Sequence, residues 1–247
     1  MKIAVLQTAR AGSESVINKN QILSDEIPLF LHNIRNASQS KYSLPIYLST
    51  NMKNVREHLD IYNANLIERP EELCSSDASH HEVIKHGLHF IEQQLNAKVE
   101  LLVVLLGNTI SAWPEDIDKA IDILKHDQKI DSVITVGKYN MYNPLRSLYL
   151  DSGGLLQNFI NQSKIDRINP QKATNDKDIV NDVYYLNGSL MVMRREAILS
   201  TNNVLPFPWL GKRVHPIVQN STFMEIDAAW QVPLLDIMLE VRNSDDN

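Results

Sequence analysis

Short apolar segments alternate along the chain with segments in which apolar residues recur every three or four positions. The apolar segments predict strands at residues 3–6, 46–49, 65–67, 101–106 and 132–136. Helical spacing is clear in 84–95 and 117–124, where each set of apolar residues falls on one helix face. This alternation predicts an α/β fold with a mainly parallel, mixed sheet and helices on both faces.

Helix termini are marked by local signals. Ser79 and Glu82 have the spacing of a capping box, which predicts that Ser79 caps a helix beginning at residue 80. Pro114 is followed by acidic residues, a combination typical of a helix N-terminus. A last amphipathic helix is predicted over residues 228–241.

The alternation breaks after about Lys138. The following segment is polar and contains one predicted strand at 147–150, and the core pattern returns at 183–193. The expected domains are a core of 1–138 and 183–247 and an inserted small lobe of 139–182. Such an insertion could be a lobe, a lid, a dimerisation arm or a long loop.

Composition excludes several protein classes. The 247 residues are 43% apolar and 22% charged, the balance of a globular protein with a real core. The net charge of −6 argues against general nucleic-acid binding, which depends on neutralising phosphates. Cys74 is the only cysteine, so no intrachain disulfide can form, as expected in a reducing cytoplasm. The longest apolar run has six residues, against roughly 20 for a membrane span, so we expect no membrane segment.

A loop with small and basic residues follows the first strand. The Gly12–Ser13 turn would expose backbone N–H groups that can bind phosphate. Arg10 and Lys19 add positive charge to the same loop. Its spacing matches neither a P-loop nor a G-x-G-x-x-G motif. From the residues alone, it is either an anion site or a solvated basic loop.

Two acidic residues stand two positions apart near the C-terminus. On an extended segment, Glu225 and Asp227 would point to the same face. Carboxylate oxygens are ligands that Mg²⁺ prefers. The alternative is a pair of surface acids before a helix, where the helix dipole favours negative charge.

Histidines crowd the helix after Ser79, at positions 80, 81, 86 and 89. We interpret them as solvated or internally paired, because no ligand set for a metal accompanies them. Aromatic residues cluster at 207–209, which favours core or interface packing over a lid above a substrate.

The pattern Ala9-Arg10-x-Gly12-Ser13-x5-Lys19-Asn20 resembles the signature loop of cytidylyltransferases that activate nonulosonic acids. These are the acylneuraminate (CMP-sialic acid) synthetases and their legionaminate, pseudaminate and CMP-Kdo relatives. Further segments resemble the family in the same order along nearly the whole chain: 27–29, 48–51, 68–73, 143–146, 186–189 and 224–227. The resemblance implies a Rossmann-like nucleotidyltransferase fold with a small dimerisation lobe.

Site residues follow from the resemblance, position by position. The implied catalytic residues are Arg10 and Lys19. The implied nucleotide-binding residues are Ala9, Arg10, Gly12, Ser13, Lys19, Asn20, Arg69 and Ser79. The implied substrate-binding residues are Asn108, Arg146 and Asn187, and the implied metal ligands are Glu225 and Asp227.

The implied reaction transfers CMP from CTP to a nine-carbon 2-keto sugar acid and releases pyrophosphate. Mg²⁺ is the implied cofactor, and the implied state is a cytoplasmic homodimer that binds neither nucleic acid nor membrane. The sequence leaves open which sugar acid is used.

Two residues and one segment depart from the family pattern. Glu14 stands where the family usually has lysine, residues 107–113 replace Gln-Pro-Thr-Ser-Pro-Leu-Arg, and Glu225 replaces aspartate. Two alternatives therefore stay open. One is a glycosyltransferase of the GT-A type, which also combines a Rossmann-like sheet with an acidic metal motif. The other is a catalytically degenerate homologue that binds a nucleotide without turnover.

Overall fold

A seven-stranded sheet forms the centre of the molecule. The computed structural model describes residues 1–13, 15–169, 182–200, 207–220 and 222–245. In chain order the strands are β1 (Ile3–Thr8), β2 (Leu23–Ser24), β3 (Ile27–Pro28), β4 (Ile46–Thr50), β5 (Asn65–Glu68), β6 (Leu101–Leu106), β7 (Ser132–Lys138), β8 (Leu148–Leu150), β9 (Leu156–Asn158), β10 (Tyr184–Arg194) and β11 (Val214–Gln219). The helices are α1 (Leu29–Ser38), α2 (Arg56–Asp60), α3 (His80–Leu95), α4 (Pro114–His126), α5 (Gln162–Ile168), α6 (Arg195–Leu199) and α7 (Leu234–Asp245).

The strand order in the central sheet is β11-β7-β10-β6-β1-β4-β5. The pairs β1–β4, β1–β6, β4–β5 and β7–β11 are parallel. β10 runs antiparallel to both of its neighbours, β6 and β7. The sheet is therefore mixed and mostly parallel, and the predicted fold class is confirmed. The carboxyl ends of β1, β4, β5 and β6 lie along one edge, where ligands bind in such sheets.

Helices cover both faces of the sheet. On one face, α1 and α4 pack through side chains such as Phe30, Ile34 and Ile117. On the other face, α3 packs through Ile84 and Leu88, together with α6. The apolar stripes read from the sequence are the faces that these helices bury.

The strand predictions are confirmed, but several strands are longer than their apolar segments. β1 continues through the buried polar residues Gln7 and Thr8, which pair with β6 and β4. Apolar runs do not detect such residues, since the ladder uses only their backbone groups. Strand β8 begins at Leu148 rather than Ser147 and pairs with β9 in a separate hairpin.

The hairpin of β8 and β9 and helix α5 fall within the predicted lobe. Residues 170–181 of that segment lie outside the described residues, and the domain boundaries stay a prediction. Within the described ranges, no helix combines the length and the apolar character needed to cross a bilayer.

Helices α3 and α4 begin at the predicted residues, but the predicted capping contact of α3 is not formed. Ser79 is the N-cap of α3, but its side chain accepts no capping hydrogen bond, so the predicted capping box is wrong. Helix α4 begins at Pro114 as predicted. The last helix begins at Leu234 instead of 228, after a 3₁₀ turn at Ala229–Gln231. Pro233 accounts for the later start, because in a helix from 228 it would lie in the interior, where it has no N–H to donate and its ring clashes with the carbonyl four residues earlier.

Candidate active site

A cleft of 270 Å³ opens at the carboxyl ends of β1 and β6. It is lined by Thr8, Ala9 and Arg10 at the end of β1, by Lys19 and Asn20, by Arg69 and the segment that leads into α3, by Leu106, Gly107 and Asn108 at the end of β6, and by Glu225. Residues from five separated parts of the sequence therefore face one space.

The loop after β1 is held by its own hydrogen bonds. Asn20 Nδ2 donates to the Arg10 carbonyl at 2.8 Å, and Arg10 Nη1 donates to the Gly12 carbonyl at 3.2 Å. Gly12 has φ +74°, a left-handed conformation that glycine adopts without strain. The Ala11 N–H donates to Asn51 Oδ1 at 2.8 Å, which ties the loop to the end of β4. The turn predicted from Gly12–Ser13 is thus a fixed loop beside the cleft.

The C-terminal acids meet this loop in space. Lys19 Nζ lies 2.6 Å from Asp227 Oδ1, although 208 positions separate the two residues. Asn108 Nδ2 donates to Asp227 Oδ1 at 3.1 Å and to Glu225 Oε2 at 3.3 Å. The Asn108 carbonyl accepts from the Ile226 N–H at 2.9 Å. Asn108 therefore fixes both carboxylates at the mouth of the cleft.

Burial and a like charge act on Glu225. Loss of water around its carboxyl group, and then the nearby charge of Asp227, raise the pKa of Glu225. The hydrogen bond from Asn108 and the charge of Lys19 oppose this change. A cation placed between Glu225 and Asp227 would lower the pKa of Glu225, because a nearby positive charge stabilises its carboxylate and offsets the repulsion from Asp227.

Arg69 forms part of the cleft wall from a buried position. Its Nε donates to Ser49 Oγ at 3.2 Å and its Nη2 to the Ser49 carbonyl at 2.7 Å. Burial lowers the pKa of Arg69 to about 10, which leaves the guanidinium charged at neutral pH. It thus presents a fixed positive charge to the cleft.

Seven of the predicted site residues line the cleft together: Ala9, Arg10, Lys19, Asn20, Arg69, Asn108 and Glu225. Asp227 joins them through Lys19 and Asn108. Five other predicted site residues are not among the described residues that line the cleft: Gly12, Ser13, Ser79, Arg146 and Asn187. Gly12 and Ser13 lie on the adjoining loop, and Ser79 lies between two lining residues. Glu14 lies outside the described residues.

The two remaining predicted substrate residues lie apart from the cleft lining. Arg146 is exposed, in a 3₁₀ turn at Pro144–Arg146. Asn187 is buried, and both ends of its amide contact protein groups: Thr135 Oγ1 donates to its Oδ1 at 2.7 Å, and its Nδ2 donates to Gln219 Oε1 at 2.6 Å. Their assignment to the sugar acid stays a prediction.

Sequence reasoning missed the part played by His80 in the cleft. His80 lines it, with Nε2 3.2 Å from Thr8 Oγ1 and the ring edge-on to Trp209. The sequence places His80 with several other histidines on one helix, and helical spacing alone does not show which of them lines a cleft. Trp209 also packs against the core and donates to Met191 Sδ at 3.4 Å, which agrees with the predicted packing role.

We expect His80 to stay neutral at physiological pH. Burial, and then the charge of Arg69, lower the pKa of His80 from 6.5 to about 4. Because the pKa is lower in the folded protein, the unfolded chain binds more protons on His80 between about pH 4 and 6.5. His80 therefore contributes stability above pH 6.5, and this stability is lost as the pH falls towards about 4. A ¹⁵N NMR titration should show the neutral ring down to about pH 5. Protonation near pH 6.5 would contradict this account of the cleft wall.

No family model matches the chain. It is 25% identical over 202 residues to the N-acylneuraminate cytidylyltransferase of Escherichia coli, a match that covers 82% of this chain and 44% of that protein. The chain thus spans less than half the length of this relative. It is 28% identical over 232 residues to the CMP-N,N'-diacetyllegionaminic acid synthase of Legionella pneumophila, covering 92% of this chain and 90% of that one.

The two relatives are named an acylneuraminate cytidylyltransferase and a legionaminic acid synthase, which supports the family that the sequence resembles. Among solved structures, this chain resembles a CMP:2-keto-3-deoxy-manno-octonic acid synthetase complexed with CTP, with a TM-score of 0.65 and 11% identity. That match covers 98% of this chain and 100% of the other. The predicted Rossmann-like nucleotidyltransferase fold is therefore confirmed.

Proposed function

We propose that this protein transfers CMP from CTP to a nonulosonic sugar acid and releases pyrophosphate. The observation that carries the proposal is the convergence of Lys19, Asn108, Glu225 and Asp227 at the carboxyl ends of β1 and β6. A cationic loop and a pair of carboxylates are the two components that phosphoryl transfer requires. The names of the two curated relatives support the same reaction class.

The reaction needs positioning and charge stabilisation. The anomeric hydroxyl oxygen of the sugar acid forms a bond to the α-phosphorus, the bond from that phosphorus to pyrophosphate breaks, and water takes the hydroxyl proton. Arg10 and Lys19 would bind the triphosphate, where Arg10 suits two-point contact with phosphate oxygens. Lys19 would neutralise the charge that develops on the leaving pyrophosphate.

The loop after β1 would hold the nucleotide without large rearrangement. Its hydrogen bonds through Asn20 and Asn51 are already made in the structure, and Gly12 has a conformation that leaves its surroundings open. A loop ordered before binding loses less entropy when the ligand arrives. Arg69 and His80 would form the side of the cleft that faces the nucleoside.

The donor set at Glu225 and Asp227 fits Mg²⁺. Within the described ranges, no group of three or more His, Cys, Asp or Glu side chains is placed to hold a metal, so phosphates and water would complete the coordination. Magnesium ordinarily uses one or two carboxylates in this way. When bound, it would offset charge on the phosphates. Asn108 would keep the two carboxylates in place for it.

The sugar acid would bind beyond the α-phosphate. Asn108 lines the cleft and donates to both carboxylates. Arg146 is the proposed partner of the sugar carboxylate, since a fixed guanidinium binds a carboxylate at two points. Its position on the predicted lobe makes this contact part of the proposed homodimer, in which lobes are exchanged between protomers.

Apolar side chains cover the hairpin formed by β8 and β9. Leu150 is 68% exposed and Leu156 64% exposed, the two leucines are register partners, and Leu148 is exposed two residues before Leu150. Exposed apolar side chains grouped on one face of a hairpin mark an interaction site. A second copy of this chain is the proposed occupant.

Charge on this hairpin should separate the protomers. We expect Leu150→Asp with Leu156→Asp to weaken self-association on the order of 100-fold, because a carboxylate buried without a partner costs several kcal/mol. Sedimentation velocity measures the change. Ile61→Asp is the matched control, since Ile61 is 71% exposed after α2, away from the hairpin. A wild-type protein that sediments as a monomer would refute the homodimer.

Pyrophosphate release tests the proposed reaction. The assay combines CTP and Mg²⁺ with separate neuraminate, legionaminate, pseudaminate and Kdo samples, and uses UTP and GTP as nucleotide controls. Release that requires CTP and one sugar acid supports the proposal. Binding of CTP without release from any sample would favour the degenerate homologue. Consumption of a CMP-sugar with transfer to an acceptor would favour the glycosyltransferase.

A further inference from the structure

Strand β10 departs from regular pairing where it passes the two C-terminal carboxylates. Its register with β7 shifts between Leu186 and Met191. Gly188, inside this irregular stretch, has φ +72°. We call residues 187–188 the β10 bulge. A shifted register of this kind re-aims the backbone and the neighbouring side chains.

Glu225 packs directly on the β10 bulge. A Cβ atom at Gly188 would lie 2.1 Å from Glu225 Oε1 and 2.4 Å from both Glu225 Cγ and Cδ. Contacts this short do not occur for real side chains, so only glycine leaves room for Glu225 in its present position. The side chain thus lies against bare backbone on one side and accepts from Asn108 on the other.

A partly buried hydrogen-bond network fixes the bulge. Asn187 Oδ1 accepts from Thr135 Oγ1 at 2.7 Å on β7, and Asn187 Nδ2 donates to Gln219 Oε1 at 2.6 Å on β11. Gln219 Nε2 in turn donates to Asp116 Oδ2 at 2.6 Å on α4. A network with several members satisfied in this way holds the backbone in one arrangement.

We propose that the β10 bulge is the seat of Glu225, with Gly188 and Asn187 as positioning residues that hold its carboxylate towards the cleft. This inference rests on the proposed function, because it assigns Glu225 to the divalent cation. It gives Asn187 a role through the backbone of the β10 bulge and Glu225.

The inference also accounts for the longer acid at position 225. Glutamate has one more rotatable bond than aspartate, so its carboxylate reaches a defined point only if its side chain is restrained. Gly188 and Asn108 supply that restraint from opposite sides. Loss of a group that orients a metal ligand commonly lowers metal affinity or activity by about 10–100-fold.

The test is a double-mutant cycle between Gly188→Ala and Glu225→Ala. Gly188→Ala should raise the half-saturating Mg²⁺ concentration by about 10–100-fold and weaken Mn²⁺ binding, followed by electron paramagnetic resonance in the presence of CTP, to a similar extent. Glu225→Ala removes Cγ and the carboxyl group, which are the atoms that a Cβ at Gly188 would meet. In the double variant the added methyl group displaces no side chain at position 225, so Mn²⁺ affinity should equal that of Glu225→Ala alone.

A matched control separates backbone strain from the contact with Glu225. Gly154 has φ +78°, but a Cβ atom there would meet nothing within 4 Å. Gly154→Ala should therefore lower the unfolding temperature through strain alone and leave Mn²⁺ affinity unchanged. If Gly188→Ala does not fold, Asn187→Ala provides the second route, with weaker Mn²⁺ binding expected.

Distinct results overturn the inference and the proposed function. Mn²⁺ affinity of Gly188→Ala equal to that of the wild type, or strictly additive effects in the cycle, would refute the seat. Wild-type protein that binds no Mn²⁺ in the presence of CTP would refute the proposed metal site itself. The unfolding temperatures of the four proteins in the cycle test the contact without any metal, and additivity there also refutes it.

Discussion

Replacement of Lys19 by alanine is expected to lower kcat for CMP transfer by about 10²–10³-fold, because one fixed donor to a developing anion is worth that much. The KM for CTP should rise as well, since the same ammonium group binds the triphosphate. Stability should change by no more than about 1 kcal/mol, because Asp227 is 59% exposed and water replaces its partner. Steady-state pyrophosphate release and thermal unfolding measure the two effects.

Lys41→Ala is the matched control for Lys19→Ala. Lys41 Nζ lies 2.7 Å from Asp122, so it forms an ion pair of the same length outside the cleft. Its removal should leave kcat unchanged. Turnover of Lys19→Ala close to the wild-type value would remove Lys19 from the mechanism, whereas equal losses in both variants would point to a general effect of lost ion pairs.

Glu225→Gln should lower CMP transfer by more than about 10²-fold while making the folded protein no less stable. The amide has nearly the same shape and can keep the contact with Gly188, but it lacks the charge that the cation requires. Removal of a partly desolvated carboxylate also removes a cost to folding. Activity assays over a range of Mg²⁺ concentrations and chemical unfolding at neutral pH measure both parts.

The pH dependence of the free energy of unfolding provides a second test of the Glu225→Gln variant. Burial raises the pKa of Glu225 in the folded state, so wild-type stability declines as the pH rises from the unfolded value of 4.5 through the raised pKa. Glu225→Gln lacks this decline, and its advantage should vanish at low pH. Glu82→Gln, an exposed carboxylate paired with Lys85, should show no loss of activity. A fully active Glu225→Gln variant would exclude this carboxylate from the reaction.

Apolar periodicity was enough to predict most strands of the sheet and the helices α3 and α4 that cover it, whereas it did not predict β11 or α1. Strands such as β6 and helices such as α4 bury continuous or regularly spaced apolar residues, so their sequences carry the signal. The direction of β10 was not predictable in this way, because a buried apolar strand has the same composition in either orientation. The late start of α7 depends on Pro233, whose effect a hydrophobic pattern does not contain.

The resemblance to a known family identified most residues of the candidate site, whereas the contacts between these residues are visible only in the structure. Lys19 and Asp227 carry recognisable motifs, but nothing in the sequence states that they lie 2.6 Å apart. Asn187 illustrates the opposite case, since its motif suggested a sugar contact and its amide is engaged with β7 and β11. His80 had no signal, because the fold alone brings the start of α3 beside Thr8.

The most direct test of the proposed reaction follows CTP and a sugar acid by ³¹P NMR in the presence of Mg²⁺ and enzyme. The account predicts that the CTP signals disappear while pyrophosphate and a CMP phosphodiester form in equal amounts with one sugar acid. The Lys19→Ala sample should form neither within the same time. Pyrophosphate without the phosphodiester, or folded protein that binds CTP and converts none with any sugar acid tested, would contradict the proposed transfer.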